Sequence, residues 1–165
     1  MVQPVNTNTG TIGAKTRVTR KISTATEWAT GANFDLFVIT GGPIIVRYLY
    51  AVVTTAFGAG AAVPQLNYTS TAGTVATVMD LAMATIANDV AGSLYVWTGA
   101  VGVQMAPAAA LGHADTAEFA WSILGQAVLA PGTINVINAV AGADGFADWL
   151  LSWIPLRTEC AVTAQ

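Results

Sequence analysis

Short stretches of alternating apolar and polar residues, separated by glycine- and proline-containing turns, run through most of the chain. Successive side chains of a β-strand point to opposite faces, so this period of two predicts strands rather than helices. The strongest pattern covers Ile44–Thr55, which is rich in β-branched and aromatic residues. The turn Thr40-Gly41-Gly42-Pro43 precedes it. Shorter strands are predicted at 16–23, 34–40, 65–71, 93–98 and 133–140.

The last predicted strand, 146–156, is apolar on both faces. Such a strand is either buried on both sides, or buried on one side and used for contact with another molecule on the other. The two sets are Trp149, Leu151 and Trp153 on one face, and Phe146, Leu150 and Ile154 on the other.

Residues 75–90 fit both a helical and a strand pattern; we predict a strand near 75–80 and a helical turn near 82–88. Short segments follow at 101–106 and 117–124. Many short strands with almost no helix predict an all-β fold, a single-domain β-sandwich or a jelly-roll-like barrel. The predicted organisation is an extended N-terminal arm, 1–28, followed by a β-rich body, 29–165.

Composition adds a surplus of apolar surface to this picture. Hydrophobic residues make up 54% of the chain and charged residues only 9%, against about 25% charged residues in an ordinary soluble domain. A domain of 165 residues cannot hide that much apolar surface, so the surplus is expected to face lipid, a second copy or a larger assembly. A membrane-spanning helix at 36–63 is disfavoured, because Pro43 would break it and Arg47 would lie within it. No secretory signal opens the chain.

The charges are unevenly distributed along the chain. Lys15, Arg17, Arg20 and Lys21 occupy a first segment that contains no acid, whereas all nine acids lie at or after Glu27. The segment is either a solvated edge strand or an arm that docks on an acidic partner. Nucleic-acid binding is disfavoured, since no aromatic residue is interleaved with these cations.

Tryptophan is favoured both in cores and at interface hot spots. Trp28 follows the basic segment in a polar stretch, so we predict that it is an intermolecular anchor. The predicted partner-binding residues are the four cations of the first segment together with Trp28, Trp149 and Trp153.

No set of residues for catalysis or for metal binding stands out. The single histidine, His113, and the single cysteine, Cys160, cannot form the common zinc sites, and one cysteine allows no intrachain disulfide. Asp144 and Asp148 could in principle form a carboxylate pair, but a pair near a turn more often makes structural hydrogen bonds. No phosphate loop or nucleophile elbow occurs. We therefore expect no enzymatic activity, no cofactor and no metal.

Four segments carry a resemblance to a known class of proteins. They are FDLFVITGGPIIVRYLYAVVTT (34–55), AGSLYVWTGA (91–100), APGTINVINAV (130–140) and DWLLSWIPL (148–156). Their style and order resemble small structural proteins of tailed bacteriophages. The resemblance implies a capsid decoration, or cement, protein: a homo-oligomer, often a trimer, made in the host cytoplasm and bound to the major capsid protein on the virion surface.

Two alternatives remain open at this point. A tail or spike component of a virion would share the composition. A carbohydrate-binding β-sandwich would instead use an exposed Trp97 or Trp121 as a stacking platform for a sugar ring.

Overall fold

The computed structural model describes residues 15–29, 33–60, 62–73, 77–80, 82–83, 85–97, 99, 105–107, 127–138 and 144–165. Within these ranges nearly every regular element is a strand, which confirms the all-β prediction. One short helix, α1 (Ala25–Ala29), is found in the described part of the chain. The strands are β1 (Arg17–Ser23), β2 (Phe34–Thr40), β3 (Ile44–Thr55), β4 (Pro64–Ser70), β5 (Thr77–Val78), β6 (Leu94–Val96), β7 (Ala106–Pro107), β8 (Ala127–Leu129), β9 (Gly132–Asn138), β10 (Phe146–Pro155) and β11 (Ala161–Ala164).

These strands form two antiparallel sheets. The six-stranded sheet has the order β1-β10-β3-β6-β7, and β8 also pairs with β3. The five-stranded sheet has the order β11-β2-β9-β4-β5. Side chains from the inner faces of both sheets form one hydrophobic core. The molecule is therefore a β-sandwich, the first of the two predicted architectures.

The alternation of residues along β3 determines which of its side chains lie in the core. Ile44, Val46, Leu49, Ala51 and Val53 are buried, while the residues between them are half-buried or exposed. β10 beside it alternates from Phe146 to Leu151, and Ser152 is buried as well. The strongest strand signal in the sequence therefore belongs to a central strand of the six-stranded sheet.

The predicted turn at 40–43 carries the chain from one sheet to the other, because β2 lies in the five-stranded sheet and β3 in the six-stranded sheet. Gly41 has a φ of 75°, a left-handed conformation that favours glycine. A Cβ at this position would also collide with the backbone carbonyl of Glu159. The apolar stretch at 36–63 thus contains strands of two sheets, and no helix among the described residues is long and apolar enough to span a membrane.

The predicted helical turn at 82–88 is wrong for the residues of that range that are described, 82–83 and 85–88. This segment instead follows the edge of β4, where the Met83 amide donates to the Pro64 carbonyl and the Ile86 amide to the Ala62 carbonyl. The strand predicted near 75–80 is reduced to the two residues of β5. The segment predicted at 117–124 lies outside the described residues.

Three elements were not predicted from the sequence: β8, β11 and α1. β11 follows the strand that we expected to be the last. The helix α1 begins after Thr24, whose amide donates to Oε2 of Glu27 at 2.6 Å. A threonine followed three residues later by a glutamate is the capping-box signature of a helix start, so this signal was present in the sequence.

Candidate interaction surfaces

The first described segment belongs to the body of the protein rather than to a separate arm. β1 pairs with β10 over its full length, from Arg17 opposite Trp153 to Ser23 opposite Ala147. This is the edge-strand alternative of the sequence analysis. The boundary predicted at 28/29 is corrected accordingly, because residues 17–28 are part of the sandwich. Residues 1–14 lie outside the described part of the chain.

Ser23 anchors this segment in the core through its side-chain hydroxyl. Its Oγ accepts hydrogen bonds from the indole nitrogens of Trp28 at 2.9 Å and Trp149 at 3.2 Å, and donates to the carbonyl of Ala147 at 3.0 Å. A serine hydroxyl has one proton and two acceptor lone pairs, so its hydrogen-bonding capacity is filled. The residue is completely buried.

The three tryptophans predicted to contact a partner lie in the core, and we correct that assignment. Trp28 is 0% exposed and makes edge-to-face contacts with Phe34 and Phe57. Trp149 and Trp153 are also buried, the latter with its indole nitrogen donating to Oγ1 of Thr19 at 3.1 Å. The hydroxyls of β1 thus satisfy all three indole groups, which explains why large aromatic side chains accompany a polar strand.

The four cations are used differently from one another. Lys15 is exposed. Arg17 donates to the carbonyl of Cys160 at 3.3 Å and lies over the ring of Trp153. Lys21 pairs with Glu27 at 2.7 Å. Arg17 and Lys21 therefore have partners within the same chain, and their binding to another molecule stays a prediction.

Arg20, the remaining cation, forms an ion pair on the outer side of the sheet. Its Nε atom lies 2.6 and 2.7 Å from the two carboxylate oxygens of Asp148. This contact also occupies one member of the carboxylate pair considered in the sequence analysis. The other member, Asp144, accepts a hydrogen bond from the amide of Gly58 at 2.8 Å.

The outward face of the six-stranded sheet is apolar at its centre. β10 and β3 contribute half-buried side chains that lie opposite one another in the strand register, such as Leu150 opposite Tyr50 and Ile154 opposite Ile45. These central side chains are Phe146, Leu150, Ile154, Ile45, Tyr50 and Val52.

The flanking strands extend this apolar surface on both sides. Val18 and Ile22 of β1 are 62% and 49% exposed, and Val128 of β8 is 63% exposed. Leu94 and Val96 of β6 lie opposite Val52 and Tyr50. We call these five residues and the six central ones the outer apolar face.

The five-stranded sheet presents a different surface to the outside. The outward positions of β9 and β4 pair Thr133 with Thr69 and Asn135 with Asn67. Ile137, opposite Gln65, is the apolar exception on these two strands. Polar side chains thus occupy most outward positions of β9 and β4, although Asn67 is buried, whereas the six-stranded sheet carries the larger number of apolar outward side chains among the described residues.

One carboxyl group has an unusual environment. Asp80 is fully buried at the edge of β4, where its Oδ1 accepts a hydrogen bond from the Leu66 amide at 2.8 Å. Its Oδ2 atom is buried and has no hydrogen-bond partner. Burial raises the pKa of Asp80 to about 7, because a buried site disfavours the charged form of the carboxyl group.

The described residues offer no evident centre for chemistry. No three histidine, cysteine, aspartate or glutamate side chains among them come together as a group that could hold a metal ion. Trp97, considered as a sugar-stacking platform, is only 9% exposed and donates its indole hydrogen to the Met79 carbonyl. That role of Trp97 is therefore wrong, while Trp121 and His113 lie outside the described residues.

Comparison with known proteins gives no relative to guide the interpretation. No protein-family model, no curated protein and no solved structure matches this chain.

Proposed function

We propose that this chain is a structural protein that acts by surface association: a decoration protein of a tailed-bacteriophage capsid, bound to the major capsid protein as a homo-oligomer. The observation that carries the proposal is the outer apolar face, an apolar surface that extends across five strands of the six-stranded sheet. The resemblance of four segments to small phage structural proteins supplies the assignment to a virion. We propose the capsid surface as the place of action and a trimer as the assembly.

A structural role is also favoured by the way the sandwich uses its polar side chains, which make contacts within the chain. Trp28, Trp149 and Trp153, the buried Ser23 and the charged Lys21 all make contacts within the chain that maintain the fold. A protein that works by covering another surface needs a rigid scaffold and a complementary face, and it needs no reactive group. We accordingly propose that the chain is not an enzyme.

Copy number distinguishes this proposal from its rivals. Particles of the phage that encodes the chain would be purified and analysed by quantitative mass spectrometry, with the major capsid protein as the internal standard. We expect a copy number of the same order as that of the capsid protein. A copy number comparable to that of tail proteins would identify a tail or spike component, and absence from the particles would refute a virion role.

A further inference from the structure

We propose that the outer apolar face is the surface on which a second copy of this chain is seated. This inference rests on the self-association included in the proposed function and assigns the residues that would carry it. The first argument concerns β1, whose apolar residues Val18 and Ile22 point outward, while Thr19 and Ser23 point inward to the tryptophans. An edge strand that served only this sandwich would place its apolar side chains in the core. The reversed arrangement instead extends the apolar surface of β10.

The second argument is the size of the surface. A flat sheet covers about 3.4 Å by 4.8 Å per residue, so the whole outward face of β1, β10, β3, β6 and β8, including its polar positions, presents roughly 570 Å². The outer apolar face is the larger part of this area and lies within the range of the largest apolar patches of monomers, about 300–600 Å². Burying the whole outward face on two copies removes more than about 1,000 Å² from water, the lower bound for a specific interface.

The third argument is the charge of the surface. Near its centre Arg20 and Asp148 neutralise each other through two hydrogen bonds, and one further cation, the exposed Arg47 of β3, lies over the ring of Tyr48. Arg20 lies opposite Leu150 in the strand register, and Asp148 lies opposite Val52. At Arg20 and Asp148 a second copy would therefore meet an internally paired group instead of an isolated charge, which avoids the cost of burying an unpaired ion.

The fourth argument is the shape of the surface. Sheets with β-branched and aromatic side chains pack face to face at about 10 Å, and the two sheets of this subunit likewise share one core. The outer apolar face offers the same kinds of side chain on a central pair of long strands. A contact between copies that closes through rotational symmetry buries such a face without forming an open fibre.

Leu150→Glu tests the inference at the centre of the face, with Ile137→Glu as the matched control. Both substitutions place a carboxylate on an outward position of a central strand, but Ile137 lies on the other sheet. The full-length proteins would be compared by sedimentation equilibrium at micromolar concentration, with circular dichroism to confirm folding. We expect an oligomer for the wild type and for Ile137→Glu, and a dissociation constant raised at least about 30-fold for Leu150→Glu, the effect of losing a hot-spot residue.

A second variant, with two substitutions, tests the same face in case Leu150→Glu prevents folding. Val18→Glu combined with Val128→Glu changes two side chains that are already well exposed, so the subunit is expected to fold and the oligomer to dissociate. A monomeric wild type, or an oligomer unaffected by both variants, would overturn the inference. So would a monomer that binds vesicles of neutral and anionic phospholipid through the face, because the occupant would then be lipid. A monomer found in particles at high copy number would leave the proposed function intact, whereas an oligomer absent from particles would refute only the virion role.

Discussion

Replacing Ser23 with alanine is expected to destabilise the protein far more than the loss of one small side chain suggests. The hydroxyl accepts from two indole groups and donates to one backbone carbonyl, all within the core. Ser23→Ala leaves the indole N–H groups of Trp28 and Trp149 buried without an acceptor. Each unsatisfied buried group costs about 1–3 kcal/mol, so we expect a loss of about 2–6 kcal/mol. That is a large part of the total stability of a domain, about 5–15 kcal/mol.

Thr19→Ala is the matched control for this substitution. Thr19 lies on the same strand and accepts from a single indole group, that of Trp153, at a half-buried position. Its loss is expected to cost about 0.5–1.5 kcal/mol, the net contribution of one hydrogen bond. The combination of Ser23→Ala with Trp149→Phe should be less destabilising than the sum of the two single changes, because phenylalanine removes one of the unsatisfied groups.

Urea unfolding followed by tryptophan fluorescence would measure these free energies, with all variants at one protein concentration since association shifts apparent stability. The reasoning requires Ser23→Ala to be clearly more destabilising than Thr19→Ala. Equal effects of the two changes, or additivity in the double variant, would show that the Ser23 hydroxyl does not serve both indole groups.

Three further predictions concern other parts of the sandwich. Deleting residues 1–28 should abolish cooperative unfolding, because β1 and Trp28 belong to the core; a folded, truncated body in circular dichroism would restore the arm hypothesis. The pKa of Asp80 is raised to about 7 from an ordinary value of 3.8, so the folded state binds this proton more tightly than the unfolded state does. The free energy of unfolding should therefore fall as the pH rises from about 4 to about 7, and level off above that. Asp80→Asn should flatten this dependence in thermal melts across the pH range, and an unchanged slope would contradict the assignment. Gly41→Ala should lower the melting temperature, since φ is 75° and a Cβ would meet the Glu159 carbonyl, whereas the same change at the exposed Gly73, where the nearest atoms are 3.8 Å away, should have little effect.

The alternation of apolar and polar residues was enough to predict the all-β class and the central strands. β3 and β10 occupy the places that their patterns indicated, with Trp149 and Leu151 inside and Leu150 and Ile154 outside. This information is local, because the period of two along a strand depends only on backbone geometry. The helix α1 was equally accessible, since its capping residues are three positions apart.

The roles of the candidate site residues depended on distant contacts. The sequence places Trp28 in a polar stretch after four cations, and that context indicated an exposed anchor. In the structure its indole group meets the Ser23 hydroxyl five residues earlier, which is also the acceptor for Trp149, 126 residues away. No local sequence pattern predicts that a strand of hydroxyl and basic side chains will lie beside three tryptophans. The partner of each polar group depends on the pairing of β1 with β10, which only the tertiary structure shows.

Composition by itself determined that this chain has more apolar surface than one domain can bury, because burial is limited by the ratio of surface to volume. Only the tertiary structure decided where the surplus lies. The strand order places β1, β10, β3, β6 and β8 side by side, and their outward residues meet in one surface although they are far apart in sequence. Strand pairing joins residues that are remote along the chain, so the alternation within one strand cannot specify which outward faces become neighbours.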